Sequence, residues 1–208
     1  MDFPDAKALL ILISAPSGAG KTTVCQNLIE KHPNIVRAVT CTTRQPREGE
    51  QHGKDYYFLS PEAFEEKVQA GMFLEHAEVY GRRYGTLKSE VVDWLGKGTD
   101  VLLSIDVQGA ASLRQEAQTV DIIRDSLVTV FLTTRTFGEL EARLKNRGTD
   151  SEGERDKRIK VAREEVARWQ EFDYLLISSS YEDDVRRMEV IIESEKMKRE
   201  RIHPPDFH

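Results

Sequence analysis

The sequence contains little cysteine and no pairing pattern for it. Cys25 and Cys41 are the two cysteines, and they form no Cys-x-x-Cys unit. This spacing provides neither a disulfide framework nor a zinc site, so we expect a protein of a reducing compartment. The chain also lacks the ~18 to 20 consecutive apolar residues that a membrane span needs. Because Asp2 and Asp5 precede its first apolar run, that run does not resemble a signal peptide, and we expect a cytoplasmic protein.

An excess of positive charge is missing as well. The 208 residues include 30 Lys and Arg against 36 Asp and Glu, which gives a net charge of −6. A chain with this balance is not expected to bind nucleic acid over a broad surface, so any anion site must come from local clusters of basic residues. The sequence shows no internal repeat and no low-complexity segment, and its length suits one domain.

A phosphate-binding loop is the strongest motif that is present. The apolar run Leu9–Ile13 is followed by a glycine-rich turn, then by Lys21 and Thr22, then by a helical pattern. In such a loop, backbone N–H groups and the positive end of the helix hold a polyphosphate, the lysine adds a full charge, and the threonine hydroxyl can reach Mg²⁺. Ala15 stands where the usual motif has glycine, so the strict pattern is broken. The predicted triphosphate-binding residues are Ala15, Pro16, Ser17, Gly18, Ala19, Gly20, Lys21, Thr22 and Thr23.

Apolar runs alternate with helical patterns along the whole chain. This alternation favours an α/β fold, a parallel sheet covered by helices on both faces. Residues 81–86 are predicted to form a turn, Trp94 and Trp169 to lie in the core, and residues 197–208 to be frayed. Strands are predicted at 9–14, 35–40, 56–59, 73–80, 101–106, 127–132 and 173–178, and helices at 22–31, 61–71, 88–95, 137–145, 159–169 and 185–192.

The loop alone indicates a nucleoside triphosphate, and other residues must select the class of protein. A GTPase needs an Asn-Lys-x-Asp base reader, but no asparagine of this chain precedes a lysine. The Leu-Ser-Gly-Gly signature of transport ATPases is also absent. Two arginine clusters remain, one with Arg44 and Arg47 and one with Arg143, Arg147 and Arg158. Two anion-binding clusters beside the loop favour a reaction between two phosphate-bearing substrates.

A series of short motifs follows the loop. They are Thr42-Thr43-Arg44-x-Pro46-Arg47-x-Gly49-Glu50-x-x-Gly53-x-x-Tyr56-x-Phe58, Phe73-Leu74-Glu75-His76-Ala77, Tyr84-Gly85-Thr86, Ile105-Asp106-x-Gln108-Gly109, and Arg143-Leu144-x-x-Arg147-Gly148 with Arg158. In this order the motifs resemble the signature of the guanylate kinase family. The likeness extends from about Leu9 to Ile192, which is nearly the whole chain.

The resemblance implies one domain over residues 1–208, made of three parts. The core would comprise 1–39, 91–135 and 165–208, a small mixed α/β insertion at 40–90 would bind GMP, and a helical lid would span 136–164. The implied reaction is Mg²⁺-dependent transfer of the γ-phosphoryl group of ATP to GMP. Deoxy-GMP is a further candidate acceptor. The protein would be a monomer or a homodimer that binds neither nucleic acid nor membrane.

The resemblance also implies roles for individual residues. The loop residues 15–23 would hold ATP, with Thr22 directed to Mg²⁺. GMP would be held by Thr40, Arg44, Arg47, Tyr56, Glu75, Tyr84, Thr86 and Asp106. The catalytic residues would be Lys21, Arg44, Arg143, Arg147 and Arg158. Asp106 would serve either the magnesium ion with its waters or the GMP ribose.

The role implied for Glu75 agrees with the chemistry of guanine. The Watson–Crick edge of guanine offers two donors, N1–H and N2–H₂, which a carboxylate accepts side by side, whereas adenine presents an acceptor at N1. Arginines are natural bidentate partners of a phosphate. A site with this carboxylate and these arginines would therefore select GMP.

Two alternatives stay open at this point. A guanylate-kinase-like domain can be a non-catalytic binding module, although such modules tend to lose the loop lysine and the lid arginines, which this chain keeps. A kinase for another nucleoside monophosphate is the second alternative, and Glu75 argues against it. The chain departs from the family pattern at Ala15, at Ser104 and in the serine run 178–180. The serine run puts the contact with adenine in doubt, and with it the selectivity for ATP.

Overall fold

The computed structural model describes residues 6–79, 81–145 and 152–202. Within these ranges the chain forms two sheets and a set of helices. The strands are Leu10–Ser14 (β1), Ile35–Arg37 (β2), Cys41–Thr42 (β3), Tyr57–Phe58 (β4), Phe73–Val79 (β5), Arg82–Leu87 (β6), Asp100–Ser104 (β7), Leu127–Thr133 (β8) and Tyr174–Ile177 (β9). The α-helices are Lys21–Lys31 (α1), Pro61–Gln69 (α2), Lys88–Gly96 (α3), Val107–Glu116 (α4), Asp121–Ser126 (α5), Phe137–Lys145 (α6), Glu152–Val166 (α7) and Tyr181–Lys196 (α8).

The larger sheet is parallel and has the strand order β2-β7-β1-β8-β9. Its central strand β1 is buried on both faces, as its unbroken apolar sequence predicts. Leu9, Ile11 and Ile13 belong to an apolar cluster that includes residues of α1, α6 and α8. Leu10 and Leu12 belong to a second cluster, with residues of α3, α4 and α5. The prediction of a parallel sheet covered by helices on both faces is therefore confirmed.

The burial of β1 also explains why this strand anchors the fold. Side chains alternate between the two faces of a strand, so five consecutive residues fill both apolar clusters. Complete burial of a leucine or isoleucine contributes about 1.5–3 kcal/mol. The loop that follows β1 consequently starts from the central, fully buried strand of the larger sheet.

The smaller sheet has the strand order β4-β3-β6-β5 and lies within residues 41–87. The prediction of a turn over 81–86 is wrong, since only Gly81 turns, at φ 69°, and Arg82–Leu87 is a strand. This strand pairs antiparallel with β5, and the register places Glu75 opposite Thr86. The sequence of this segment does not alternate clearly between apolar and polar residues. Its strand conformation depends on pairing with β5 and β3, and the local sequence does not reveal that pairing.

Several boundaries and two tryptophans also differ from expectation. The strand predicted at 35–40 ends at Arg37, and neither Cys41–Thr42 nor helix α5 was predicted. Trp94 and Trp169 are 37% and 41% exposed, so their assignment to the core is wrong. Trp94 lies under the Lys97 ammonium, 4.7 Å from the ring centroid. An apolar ring at helical spacing was therefore an insufficient sign of burial.

The start of the carboxy-terminal tail is bound to the core rather than frayed. Arg201 is buried and pairs with Glu195, and its guanidinium donates to the Leu127 carbonyl at 2.9 Å. Ile202 forms a bridge with Ala6. The expectation of fraying is thus wrong for 197–202, while 203–208 lie outside the described residues. None of the helices in the described ranges is long and apolar enough to span a membrane.

Candidate functional site

A cavity of about 340 Å³ lies between the two sheets, at the carboxyl ends of β1 and β7. It brings together residues from the phosphate-binding loop, the smaller sheet and the lid region. A larger cavity of about 1020 Å³ is lined by residues near the opposite end of β7 and contains none of the predicted site residues. The smaller cavity is lined by Ser17, Lys21, Thr40, Arg47, Tyr56, Glu75, Ala77, Val79, Tyr84, Gly85, Ser104, Ile105, Asp106 and Arg158.

The phosphate-binding loop has the backbone that anion binding requires. Gly20 caps α1 in a left-handed conformation at φ 102°, which strongly favours glycine. Gly18 is also left-handed, at φ 87°, and a Cβ there would lie 3.2 Å from Leu144 of α6. The loop therefore leads directly into the amino-terminal end of an eleven-residue helix, where N–H groups and the helix dipole favour negative charge.

Lys21 extends from the start of α1 toward the end of β7. Its Nζ donates a hydrogen bond to the Ile105 carbonyl at 2.8 Å. Burial lowers the pKa of Lys21, while the nearby Asp106 and Glu165 oppose that shift. The ammonium thus lies where the loop, strand β7 and the cavity meet.

Helices α6 and α7 each place one side chain against the loop. The Arg143 guanidinium donates to the Ala19 carbonyl at 3.4 Å. Glu165 of α7 accepts a hydrogen bond from the Ser17 backbone N–H, also at 3.4 Å. Burial raises the pKa of Glu165, and the Lys21 charge opposes this. No sequence motif had singled out Glu165, because only the packing of α7 brings its carboxylate to the loop.

Of the two other arginines predicted for the lid, one lines the cavity and one lies outside the described residues. Arg158 of α7 lines the cavity. Arg147 lies outside the described residues, so its predicted role stays a prediction.

Glu75 forms the polar centre of the far end of the cavity. Its side chain is only 5% exposed, and its Oε1 accepts a hydrogen bond of 2.6 Å from the Thr86 hydroxyl. Thr86 itself is completely buried. Burial, together with the charge of Asp106, raises the pKa of Glu75 to about 7, although the hydrogen bond from Thr86 opposes the shift. Glu75 therefore belongs to the interior of the site and not to the charged surface.

Asp106 caps the helix that packs behind Glu75. Its Oδ1 accepts the backbone N–H of Gly109 at 2.8 Å, which holds the first turn of α4. The residue stays half-buried and lines the cavity. Asp106 therefore has a structural role as a helix cap in addition to facing the site.

Aromatic and basic side chains of the insertion form one wall of the site. The rings of Tyr56 and Tyr84 meet edge to face, with centroids 6.2 Å apart. Arg44 lies over Tyr56 at 5.4 Å and forms an ion pair with Glu50 at 2.8 Å. Arg47 lines the cavity, whereas Arg44 lies behind Tyr56 and Tyr84, two residues of the lining that it contacts.

Glu50 is a residue whose role the sequence did not reveal. Besides holding Arg44, its second oxygen accepts the backbone N–H of Arg47 at 2.7 Å. One carboxylate thus fixes both arginines of the motif. Glu50 belongs to the quoted motif, but its role could not be predicted from the sequence. That role depends on a turn of the chain that brings Glu50 back to Arg44 and Arg47.

The serine run at 178–180 forms a helix-capping network instead of lining the cavity. Ser178 Oγ donates to Asp184 at 2.7 Å, and the Ser179 N–H donates to the other oxygen of this carboxylate at 3.1 Å. Ser180 caps α8 by accepting the Asp183 N–H at 3.2 Å. The side chains at this edge of the core are therefore already engaged in local contacts.

The oxygen ligands near the loop are of a kind that suits magnesium. Thr22 follows Lys21 in the first turn of α1 and is exposed, and Asp106 is close enough to influence the pKa of Lys21. No group of three or more His, Cys, Asp or Glu side chains that could hold a metal occurs among the described residues. A hydroxyl and a carboxylate are hard ligands, and a site with so few protein ligands suits a Mg²⁺ ion that is held mainly by phosphates and water.

Comparisons with known proteins agree with this geometry. The family model described as guanylate kinase matches residues 7–195. A guanylate kinase from Paramagnetospirillum magneticum is 41% identical over 202 residues, which cover 97% of this chain and 92% of the relative. A guanylate kinase from Clostridioides difficile is 39% identical over 192 residues, which cover 92% and 90%. The crystal structure of guanylate kinase from Anaplasma phagocytophilum is similar with a TM-score of 0.76 at 31% identity, covering 97% of this chain and 93% of that one. The chain therefore belongs to the guanylate kinase family.

Proposed function

We propose that this enzyme transfers the γ-phosphoryl group of ATP to GMP and releases ADP and GDP. The observation that carries the proposal is the buried carboxylate of Glu75, hydrogen-bonded to Thr86 in a cavity that Lys21 also lines. An oxygen of the GMP phosphate attacks the γ-phosphorus, and the bond from that phosphorus to the departing ADP oxygen breaks. The comparisons give no support to the alternative of a non-catalytic module.

The donor half of the site is the phosphate-binding loop. Residues 15–23 would hold the ATP phosphates through backbone N–H groups, since Gly18 and Gly20 give the loop its left-handed turns. Lys21 would place its ammonium on the outer phosphates. Mg²⁺ would be held by Thr22 together with the nucleotide and water, and when bound it neutralises phosphate charge.

The acceptor half is the smaller sheet with the end of β7. Glu75 would accept N1–H and N2–H₂ of guanine, and Thr86 holds its carboxylate in place. Asp106 would face the GMP ribose or the water shell of the magnesium ion. The GMP phosphate would be bound by Thr40, Arg44, Arg47, Tyr56 and Tyr84.

Charge stabilisation would come from both halves. Phosphoryl transfer needs little covalent assistance, so positioning and neutralisation of the transferred group dominate the rate. Lys21 and Arg158 line the cavity, and Arg143 contacts the loop. Together with Arg44 and Arg147, they would surround the transferred group. Helices α6 and α7 would act as a lid that excludes water and limits hydrolysis of ATP.

A direct assay tests the proposal. Purified protein is mixed with ATP, Mg²⁺ and one monophosphate at a time (GMP, deoxy-GMP, AMP, UMP or CMP), and ADP release is followed. We expect rapid ADP formation with GMP and roughly 100-fold or more lower kcat/KM with AMP, because adenine would present an acceptor to the carboxylate of Glu75. Absence of GMP-dependent ADP formation, or equal turnover of AMP and GMP, would refute the assignment.

The donor base needs its own measurement. Ser178–Ser180 replace the residues that the family pattern has at these positions, and their hydrogen bonds go to the start of α8. Selectivity for the adenine of ATP therefore has to be measured directly. We expect ATP to be used with GTP as a weaker donor, measured as kcat/KM for each at saturating GMP. A preference for GTP would contradict ATP as the donor while leaving GMP as the acceptor.

A further inference from the structure

Gly109 lies in the first turn of α4, directly against the carboxylate of Glu75. A Cβ placed at this glycine would be 2.6 Å from Glu75 Oε2 and 3.3 Å from Glu75 Cδ. It would also be 3.3 Å from Asp106 Oδ1. Real Cβ atoms essentially never approach another heavy atom to less than 3.0 Å. Any side chain at position 109 would therefore displace the carboxylate.

The backbone does not explain why this position is glycine. Gly109 lies inside a regular helix, Val107–Glu116, and its φ is outside the left-handed region that favours glycine. Alanine is the better helix former at such a position, by roughly 1 kcal/mol. The space taken by the Glu75 carboxylate is the feature that excludes alanine here.

Glu75 cannot move away without losing its own contacts. Its Oε1 is held at 2.6 Å by the hydroxyl of Thr86, which is fully buried on the paired strand β6. To reach an ordinary contact of 3.4 Å from a distance of 2.6 Å, Oε2 would have to shift by about 0.8 Å. Because Glu75 is only 5% exposed and lines the cavity, such a shift turns the carboxylate within the space where the base would lie.

We propose that Gly109 is a positioning residue that determines specificity for guanine, because its lack of a side chain lets the Glu75 carboxylate lie against α4 in the orientation that accepts both guanine donors. The inference depends on the proposed role of Glu75. A carboxylate turned by a methyl group at position 109 keeps its charge but no longer presents two oxygens to N1–H and N2–H₂. Gly109 touches neither the nucleotide nor the reacting atoms, so it acts through Glu75.

The test compares Gly109→Ala with a matched helical glycine. Gly96 lies at the end of α3, where φ is not left-handed and an added Cβ would have no heavy atom within 4 Å, so Gly96→Ala is the control. For Gly109→Ala we expect the KM for GMP to rise by about 10- to 50-fold and the KM for ATP to change by less than about twofold. The Tm should fall only slightly, because the better helix propensity of alanine offsets part of the disturbed contact between Glu75 and Thr86. Gly96→Ala should leave both KM values unchanged. The preference for GMP over IMP, which lacks the 2-amino group, should shrink in Gly109→Ala alone.

A double-mutant cycle with Glu75→Gln separates positioning from general disruption. Glutamine has the size of glutamate but cannot accept two donors side by side. In this background Gly109→Ala should raise the KM for GMP by less than about threefold, because guanine recognition has already been lost. A further loss of about tenfold would mean that Gly109→Ala acts through the helix and would overturn the inference.

Other outcomes are also decisive. An unchanged KM for GMP in Gly109→Ala, or equal increases for both nucleotides together with a lower Tm, would overturn the positioning role. If the wild-type protein showed no GMP-dependent ADP release, the proposed function would fall and the inference with it. If the wild-type protein and Glu75→Gln behaved as proposed while Gly109→Ala behaved like the wild type, only the inference would fall.

Discussion

The two ends of the cavity are built in different ways. The donor end is one continuous segment, residues 15–23, whose backbone turns at two left-handed glycines and enters a helix. The acceptor end is assembled from side chains of separate elements, with Glu75 on β5, Thr86 on β6 and Asp106 after β7. A polyphosphate can be bound by N–H groups of a local turn, whereas a base edge requires fixed side chains that several strands must hold in register.

The electrostatics of the two ends differ in the same way. At the donor end the helix dipole and Lys21 favour negative charge, and they are present before any ligand binds. At the acceptor end burial raises the pKa of Glu75 to about 7, so the environment of this carboxylate disfavours its ionised form. The features of the donor end thus suit any phosphate group, whereas the proposed base-binding end contains a buried carboxylate whose ionisation lowers stability.

The largest expected effect comes from removing the charge at the donor end. Lys21→Met should lower kcat by roughly 10³-fold or more, since transition-state charge loses a stabilising cation. GMP binding, measured by calorimetry, should stay within a factor of about three of wild type, because Lys21 is assigned to the donor phosphates. The exposed Lys97→Met, remote from the cavity, is the control. Loss of GMP affinity together with turnover would show that the two ends are not separable.

The next effect concerns the acceptor end. Glu75→Gln should lower kcat/KM for GMP by roughly 100-fold or more and leave the KM for ATP unchanged, because one acceptor oxygen becomes a donor that opposes guanine. Glu78→Gln changes an exposed residue of the same strand and should have no effect. Equal losses for GMP and ATP would mean that Glu75 does not recognise the base.

The same substitution should stabilise the protein at alkaline pH. The pKa of Glu75 is raised from 4.5 to about 7 in the folded state, so the folded protein binds more protons than the unfolded chain between these values. Its ionisation therefore lowers stability as the pH rises through 7. Glu75→Gln should raise the free energy of unfolding at about pH 8 by about 1–3 kcal/mol, and the gain should vanish toward about pH 4.5. Urea titration at several pH values measures this, and lower stability of the variant in alkaline buffer would contradict it.

A smaller effect is expected from pH itself. As the pH falls below about 7, Glu75 takes up a proton and can no longer accept both guanine donors, so the KM for GMP should rise by up to about tenfold per pH unit. The phosphate of GMP titrates in the same range, so the ratio of wild type to Glu75→Gln is the quantity to follow. This ratio should depend on pH for GMP and stay flat for ATP. A flat ratio for GMP would remove Glu75 as the titrating group.

The smallest effect is expected from the contact between Glu165 of α7 and the loop. Glu165 accepts the Ser17 N–H and lies close to Lys21. The Ser17 N–H and the Lys21 ammonium are the groups proposed to bind the ATP phosphates, so Glu165 competes with those phosphates. Glu165→Gln should lower the KM for ATP by about two- to fivefold, through loss of a competing charge, and leave the KM for GMP unchanged. The exposed neighbour Glu164 provides the control Glu164→Gln. A higher KM for ATP would show that Glu165 assists the donor end instead of competing with its ligand.

Much of the fold could be predicted from local patterns, and the exceptions share a cause. Strand β1 and the capped start of α2 at Ser60 follow from an apolar run and from a Ser-Pro helix signal, and both are present. Strand β6 was missed because its sequence carries two arginines and a glycine, and its conformation depends on pairing with β5 and with the distant β3. Trp94 was misplaced because helical spacing does not show which face meets a neighbour.

The sequence by itself predicted the phosphate-binding loop and the family, because such a loop consists of consecutive residues that bind phosphate through their backbone N–H groups. It also identified Glu75 and Thr86 as separate motif positions. Only the tertiary structure decided that these two share a hydrogen bond, that Glu50 holds both arginines of its motif, and that Gly109 leaves room for the Glu75 carboxylate. The physical reason is that burial, pKa and the space for one missing methyl group arise from contacts between distant segments, and no local pattern encodes those contacts.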